Sequence, residues 1–263
     1  MKLSSKRIEK NAKQIKVISF NTVDSTNNVA KELALNGCAE GTVVCALKQT
    51  KGKGRLGRTF LSKAGGVYFS LILRPQKDSD ASLLITVAAA VAAARAIERL
   101  SGKKCEIKWV NDIYLNGKKV CGILTEGNVS NNGEFDFAIL GVGVNLFAPK
   151  SGFPSNLPLA GSVFGKKNGI IFKNRYKEQL IAEFSNEFFK FYNNLEQKEF
   201  MKEYQQKSFL NGKQITYTKD GETYSGIVSG IDDDARLVIS ANKNEVKLSH
   251  GEIQIVGMEQ LPI

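Results

Sequence analysis

Apolar and polar positions alternate with two different periods along this chain, and each change of period predicts an element. Across 108–126, KWVNDIYLNGKKVCGILTE, the period is two: Ile113 and Leu115 alternate with polar neighbours, Asn116-Gly117 supplies two positive-φ positions, and Val120, Ile123 and Leu124 resume a strand. This predicts a β-hairpin. Further strands are expected at 17–20, 42–47, 66–74, 106–109 and 135–146, with a turn at Asn131-Asn132-Gly133 before the last. Helical spacing appears three times. Val29, Leu33 and Leu35 follow the N-cap cluster Asp24-Ser25-Thr26-Asn27, for which capping is a sufficient explanation. An Ala-rich stretch at 82–100 is apolar over most of its surface, which predicts a buried helix, stopped by Gly102. At 174–195, Tyr176, Leu180, Ile181, Phe184, Phe188, Tyr192 and Leu195 recur at three-to-four spacing, and their aromatics read as core rather than a cofactor stack.

Hairpin following hairpin predicts an α+β fold: a mixed, largely antiparallel sheet with helices on one face. After Tyr204 the pattern shifts to short strands with turns at Asn211-Gly212, Asp220-Gly221 and Asp232-Asp233-Asp234, which predicts a small C-terminal β-barrel. The expected division is a tail at 1–16, polar and either frayed or one short helix, a large domain at 17–205 and the barrel at 206–263. The stretch 148–169, rich in Pro, Gly, Ser and Asn, reads as a long loop, which in a compact domain is more often functional than idle.

Composition narrows the chemistry. The 263 residues contain no apolar run of membrane-spanning length and no signal peptide at the start, so a cytoplasmic protein without a membrane partner is expected. Four cysteines, Cys38, Cys45, Cys105 and Cys121, lack CxxC spacing and read as buried thiols. The single histidine, His250, lies far along the chain from every polar cluster, which leaves Ser-His-Asp, Cys-His and His-ligated metal sites poorly supported. Catalysis must then come from charges placed by Lys, Arg, Asp and Asn. The net charge of +11 suits a polyphosphate ligand or an acidic partner, and equally a nucleic acid.

Two stretches concentrate that charge. Folding the hairpin gathers Lys108, Asn111, Asp112, Lys118 and Lys119, the composition of a phosphate site; the competing reading is a solvated surface hairpin with Trp109 in the core. The stretch QTKGKGRLGRTF at 49–60 has three glycines and four cations within the eight residues 51–58. Glycines so spaced let backbone N–H groups turn inward around an anion while Lys53, Arg55 and Arg58 add charge. It is not a Walker loop, and alone it is a weak signal, for which a flexible nucleic-acid-binding loop is the competing reading.

Together these motifs resemble the catalytic domain of biotin protein ligases, whose marks are a GRGRxGR loop, a KWPND segment and a GIL strand. Here they stand as Gly52-Lys53-Gly54-Arg55-Leu56-Gly57-Arg58, Lys108-Trp109-Val110-Asn111-Asp112 and Gly122-Ile123-Leu124, with Asp24-Ser25-Thr26-Asn27-Asn28 upstream and Gly141-Val142-Gly143-Val144-Asn145 downstream. The resemblance covers about 17–256. It implies a class II synthetase-like catalytic domain closed by an SH3-like barrel, and a ligase that forms biotinyl-5′-AMP from biotin and ATP, with Mg²⁺ expected alongside. The biotinyl group would then pass to a lysine of the biotin carboxyl carrier protein of acetyl-CoA carboxylase.

By position, the resemblance puts Ser25, Thr26, Asn27, Gln49, Lys53, Gly54, Arg55, Lys119 and Gly122 around biotin. It puts Gly52, Arg58, Phe60, Asn111, Asp112 and Asn145 around the nucleotide, with Lys119 and Arg55 neutralising charge. Gly122 is expected to be small so that biotin can lie on the strand, Phe60 to pack near the nucleotide, and Lys118 to point away from Lys119. Lys53 replaces a family Arg and Val110 a family Pro, and Asp112 is open between orienting a cation, holding Mg²⁺ and a structural ion pair. Repressor members carry a winged helix-turn-helix, for which a domain of about 50 residues is needed, so no specific DNA binding is expected. The carrier could add a strand to a free sheet edge, as could a second copy of the chain in a homodimer. A lipoate-type ligase of the same fold and a non-catalytic nucleic-acid binder are the rival readings.

Overall fold

The computed structural model describes residues 2–75, 81–129, 135–165, 170–219, 221–241 and 244–257, and builds them around two sheets. The first has seven strands, β1 (Lys16–Val23), β2 (Thr42–Gln49), β3 (Val67–Leu73), β4 (Glu106–Lys108), β5 (Asp112–Leu115), β6 (Lys118–Val129) and β7 (Phe135–Val144), in the order β1-β2-β3-β7-β6-β5-β4. Only β1 and β2 run parallel; every other neighbouring pair is antiparallel. At the tip of the β5–β6 hairpin Asn116 and Gly117 take φ values of 51° and 69°, the left-handed pair that the sequence called for. The expected turns at 131–133 and at Asp220 lie outside the described residues.

Side-chain parity divides the sheet. Val67, Phe69, Leu71 and Leu73 of β3 and Ala138, Leu140, Val142 and Val144 of β7 face one core, shared with the two long helices α3 (Ala81–Ser101) and α4 (Ile170–Tyr192). Phe69 meets Phe184 of α4 edge-on with centroids 5.1 Å apart. The opposite parity, Val44, Ile72, Phe137 and Ile139, packs against Ala30 and Ala34 of α2 (Thr26–Leu35). Helices on a single face were expected. α2 instead covers one end of the other face, because Ala30 and Ala34 present a small apolar surface that the strands can bury.

The opening residues are part of the core rather than a tail. Leu3, Ile8, Ala12 and Ile15 are buried around α1 (Ser5–Asn11), a stripe hidden among polar neighbours in the sequence. Ser4 caps α1 by accepting from the Arg7 N–H, and its own N–H donates to Glu178 of α4 at 2.7 Å.

The second sheet has five antiparallel strands, β8 (Gln214–Lys219), β9 (Glu222–Ile231), β10 (Leu237–Ala241), β11 (Asn244–Leu248) and β12 (Ile253–Ile255), in the order β11-β10-β9-β8-β12. The helix α5 (Met201–Lys207) crosses the division expected at 205/206; its Met201 and Tyr204 are buried and it packs on α3 and β4. Two hydrogen bonds seat the junction. Tyr204 donates to the Val110 carbonyl at 3.0 Å, and the indole N–H of Trp109 donates to the Ala235 carbonyl in the β9–β10 turn at 2.9 Å. The Trp109–Val110 peptide bond is cis.

Candidate active site

β2 delivers Gln49 into the glycine loop, which folds back over the α2 face of the first sheet. The neck is tied by Phe60 N–H donating to Gly52 O at 2.9 Å and Gly54 N–H to Arg58 O at 2.7 Å. Gly52 has no room for a side chain, since a Cβ there would lie 2.4 Å from Phe60 O. Beneath the loop is a cavity of about 470 Å³, reached by residues of β6, β7, the 153–160 stretch and the second sheet.

One end of the cavity is neutral and internally bonded. Ser25 holds the N-cap position of α2 but makes no side-chain capping bond, contrary to the capping reading. The first N–H of the helix has an acceptor elsewhere: Gln49 Oε1 takes Thr26 N–H at 2.7 Å and the Thr26 hydroxyl at 3.0 Å, while Gln49 Nε2 donates to Ser62 Oγ at 2.8 Å. Asn27 Oδ1 accepts from Ser70 at 2.6 Å and its Nδ2 donates to Glu126 at 2.6 Å. The glycines of β7 make this possible. A Cβ on Gly141 would stand 2.1 Å from Asn27 Oδ1, and one on Gly143 2.6 Å from the Phe60 ring.

The other end is cationic. Lys119 pairs with Asp112 at 2.7 Å, and Lys118 points the other way to the Pro158 carbonyl, as strand parity predicts. Arg55 donates to Asn111 Oδ1 at 3.1 Å and to the Gly251 carbonyl at 2.9 Å, and Arg58 forms an ion pair with Glu252. Asn111 is held in turn, its Nδ2 donating to Ile123 O at 2.7 Å. Burial lowers the proton affinity of both Arg55 and Lys108, opposed by attraction to Asp112. Asp112 Oδ1 is buried with no hydrogen-bond partner, so this carboxylate has one oxygen on Lys119 and one uncommitted.

Every residue proposed from the sequence except Gly52 lines the cavity or, like Gly52, shapes the loop above it. Two placements add to the expectation. Phe60 lies across Gly122 and Gly143, its ring 2.9 Å from where a Gly122 Cβ would be, so the small residue on β6 leaves room for an aromatic ring that itself lines the cavity. His250 itself does not line the cavity, but its neighbours Gly251 and Glu252 form part of the wall.

Residues without an assigned role also contribute. Lys108 sits directly across β4–β5 from Asp112, which a period-two register would reveal. Phe153, Pro154, Asn156 and Leu157 come from the long loop, pinned when Lys119 N–H donates to Leu159 O at 2.7 Å and Gly161 N–H to Lys119 O at 2.9 Å. No local pattern marks these. Among the described residues no cluster of three or more His, Cys, Asp or Glu could hold a metal ion.

A sheet-bound cavity with an amide-and-hydroxyl end, a cationic end and a glycine loop between them defines an enzyme that activates a small acid with a nucleotide. The model of the biotin/lipoate A/B protein ligase family matches residues 19–145, and that of the biotin protein ligase C-terminal domain matches 211–256. The bifunctional ligase/repressor BirA of Bacillus subtilis (strain 168) is 31% identical over 254 residues, 91% of this chain and 74% of that one. The biotin–[acetyl-CoA-carboxylase] ligase of Paracoccus denitrificans is 41% identical over 132 residues, 49% of this chain and 54% of its own. A solved structure of biotin protein ligase from Aquifex aeolicus in complex with biotin and ATP aligns with a TM-score of 0.72 at 24% identity, covering 91% of this chain and 97% of that one. The chain belongs to the biotin protein ligase family, and it is a ligase.

Proposed function

We propose that the chain activates biotin with ATP and transfers it to a carrier lysine, with the two ends of the cavity dividing the work. The neutral end, Ser25, Thr26, Asn27 and Gln49, offers donors and acceptors suited to a ureido ring, with the Lys53–Gly54 backbone and Gly122 beside it. The cationic end takes the carboxylate and the phosphates. A biotin carboxylate oxygen attacks the α-phosphorus of ATP, the bond to the β-phosphate oxygen breaks, and pyrophosphate leaves. The carboxylate is already a nucleophile at neutral pH, so what it needs is cancellation of its repulsion from the phosphates, supplied by Lys119 and Arg55. In the second step a carrier lysine amine attacks the acyl carbon, AMP leaves with the bonding pair, and an amide forms. Gly52, Arg58, Asn111 and Asn145 are assigned to the nucleotide, with Phe60 walling its junction with biotin.

The observation that carries this reading is the convergence of Lys119, Arg55 and the glycine loop on the cavity whose far end is Thr26–Gln49. Mg²⁺ fits as a companion of the phosphates rather than a resident ion. Asp112, with one uncommitted buried oxygen, would hold it together with phosphate oxygens, as a site with a single carboxylate does.

The carrier is assigned as the biotin carboxyl carrier protein of acetyl-CoA carboxylase, in keeping with the name of the Paracoccus relative. A cytoplasmic location is supported by the four free cysteines, and no helix of the described residues is long and apolar enough to cross a membrane. The edge strand β1 of the first sheet is the place where a carrier strand or a second copy would add, since β4 is already bridged at Ile107 by Ser208. The test is to incubate apo carrier protein with ATP and either biotin or lipoate. A mass increase with biotin alone supports the assignment; an increase only with lipoate transfers it to the lipoate-type ligases.

A further inference from the structure

The neutral end of the cavity is wired to the glycine loop through Glu126, a residue to which neither motif nor position gave a role. Glu126 lies on β6 with the same parity as Gly122 and so faces the cavity side of the sheet. One of its carboxylate oxygens accepts from Asn27 Nδ2 at 2.6 Å; the other stands 3.2 Å from Lys53 Nζ on the loop. From Asn27 the path continues: Ser70 Oγ lies 2.6 Å from Asn27 Oδ1 and 2.8 Å from Thr26 Oγ1 and has one proton to share between them, Thr26 donates to Gln49, Gln49 to Ser62, and Ser62 to the Phe60 carbonyl at 2.9 Å. The circuit begins on the loop at Lys53 and returns to it at Phe60.

We infer that Glu126 is a positioning residue, which fixes the Asn27 amide for the bound acid and latches the closed glycine loop through Lys53. This rests on the ligase reading given above. The two arms differ in strength for a physical reason. An amide against an ionised carboxylate at 2.6 Å is a charge-assisted bond, and it dictates which way the amide faces, because a carboxylate accepts only. Asn27 Oδ1 must therefore turn to Ser70, onto the bare surface of Gly141. The Lys53–Glu126 pair, with side chains 38% and 36% exposed, is a weak ion pair. A weak latch is what a loop needs if it must retain a water-labile acyl adenylate and still open for a carrier lysine.

The test separates the arms. Glu126→Gln keeps an acceptor for Asn27 and loses the ion pair; Lys53→Met loses the same pair from the other side; Glu126→Ala loses both arms. Glu126→Gln and Lys53→Met should each speed release of preformed radiolabelled biotinyl-AMP about two- to five-fold, the double variant no more than either alone, and added salt should narrow their difference from the parent. Glu126→Ala should in addition raise the biotin KM by about tenfold, with the ATP KM unchanged. Additive effects in the double variant, or a biotin KM in Glu126→Ala equal to that in Glu126→Gln, would overturn the inference. A parent protein that makes no biotinyl-AMP from biotin and ATP would instead overturn the ligase reading.

Discussion

The two ends of the cavity solve opposite problems. At the Thr26–Gln49 end, amides and hydroxyls are bonded to one another, Thr26 and Asn27 are buried, and the acid groups of the region are reduced to one carboxylate at the rim. At the Lys119 end, Arg55, Lys108 and Lys119 crowd around Asp112, and one buried oxygen is left uncommitted. The first arrangement is complete without a ligand and buys selectivity for a neutral polar ring. The second is electrostatically unfinished, with more positive charge than Asp112 can neutralise. Burial of like charges is unfavourable until an anion arrives, so this end should bind phosphate strongly and discriminate little.

This contrast can be broken in four places, taken from the largest effect to the smallest. Lys119→Ala should slow adenylate formation by roughly 10²- to 10³-fold, as loss of one preorganised charge does, while biotinyl-AMP supplied directly is still passed to the carrier. Unchanged ATP–pyrophosphate exchange in that variant would remove Lys119 from the chemistry. Gly141→Ala should act on the other end alone. A Cβ 2.1 Å from Asn27 Oδ1 must displace the amide, so biotin affinity should fall about tenfold or more with nucleotide affinity intact, measured by titration calorimetry.

Lys108 gives a pH signature to the cationic end. Its proton affinity is depressed by burial, so its ammonium is lost at a lower pH than an ordinary lysine's, and adenylate formation should fall on the alkaline side before the usual lysine range. Lys108→Arg should move that limb upward. The stability sign is fixed too: the unfolded chain holds the Lys108 proton to higher pH than the folded one, so this group's contribution to stability rises with pH between the folded value and 10.5. The smallest effect is thermal. Biotin alone, at about three times its dissociation constant, should stabilise the fold by about 0.8 kcal/mol, and a melting temperature that responds to ATP but not to biotin would reverse the assignment of the two ends.

Much of this was legible in the sequence wherever the signal was local. The Asn116-Gly117 turn, the opposed directions of Lys118 and Lys119, and the buried helix around 82–100 follow from turn chemistry and from periods of two and 3.6. What the sequence concealed depends on contacts across long separations. Arg55 reaching Gly251, a span of 196 residues, has no periodic trace. Nor does the reach of Gln49 from β2 to the first N–H of α2, beside an N-cap Ser25 whose side chain makes no capping bond. A short helix at the start was one of two readings open for 1–16, and its burial was hidden for a different reason. Its apolar residues, Leu3, Ile8, Ala12 and Ile15, are sparse enough to look like a solvated tail until α4 supplies the surface against which they pack.

The seam where the indole of Trp109 meets Ala235 has a practical yield. Because the chain holds a single tryptophan, its indole emission, excited apart from the seven tyrosines, comes from one buried spot, where the Lys108–Asp112 segment touches the β9–β10 turn. The unlabelled protein thus carries its own optical gauge of how firmly the barrel is seated, readable in a stopped-flow cuvette while nucleotide is added.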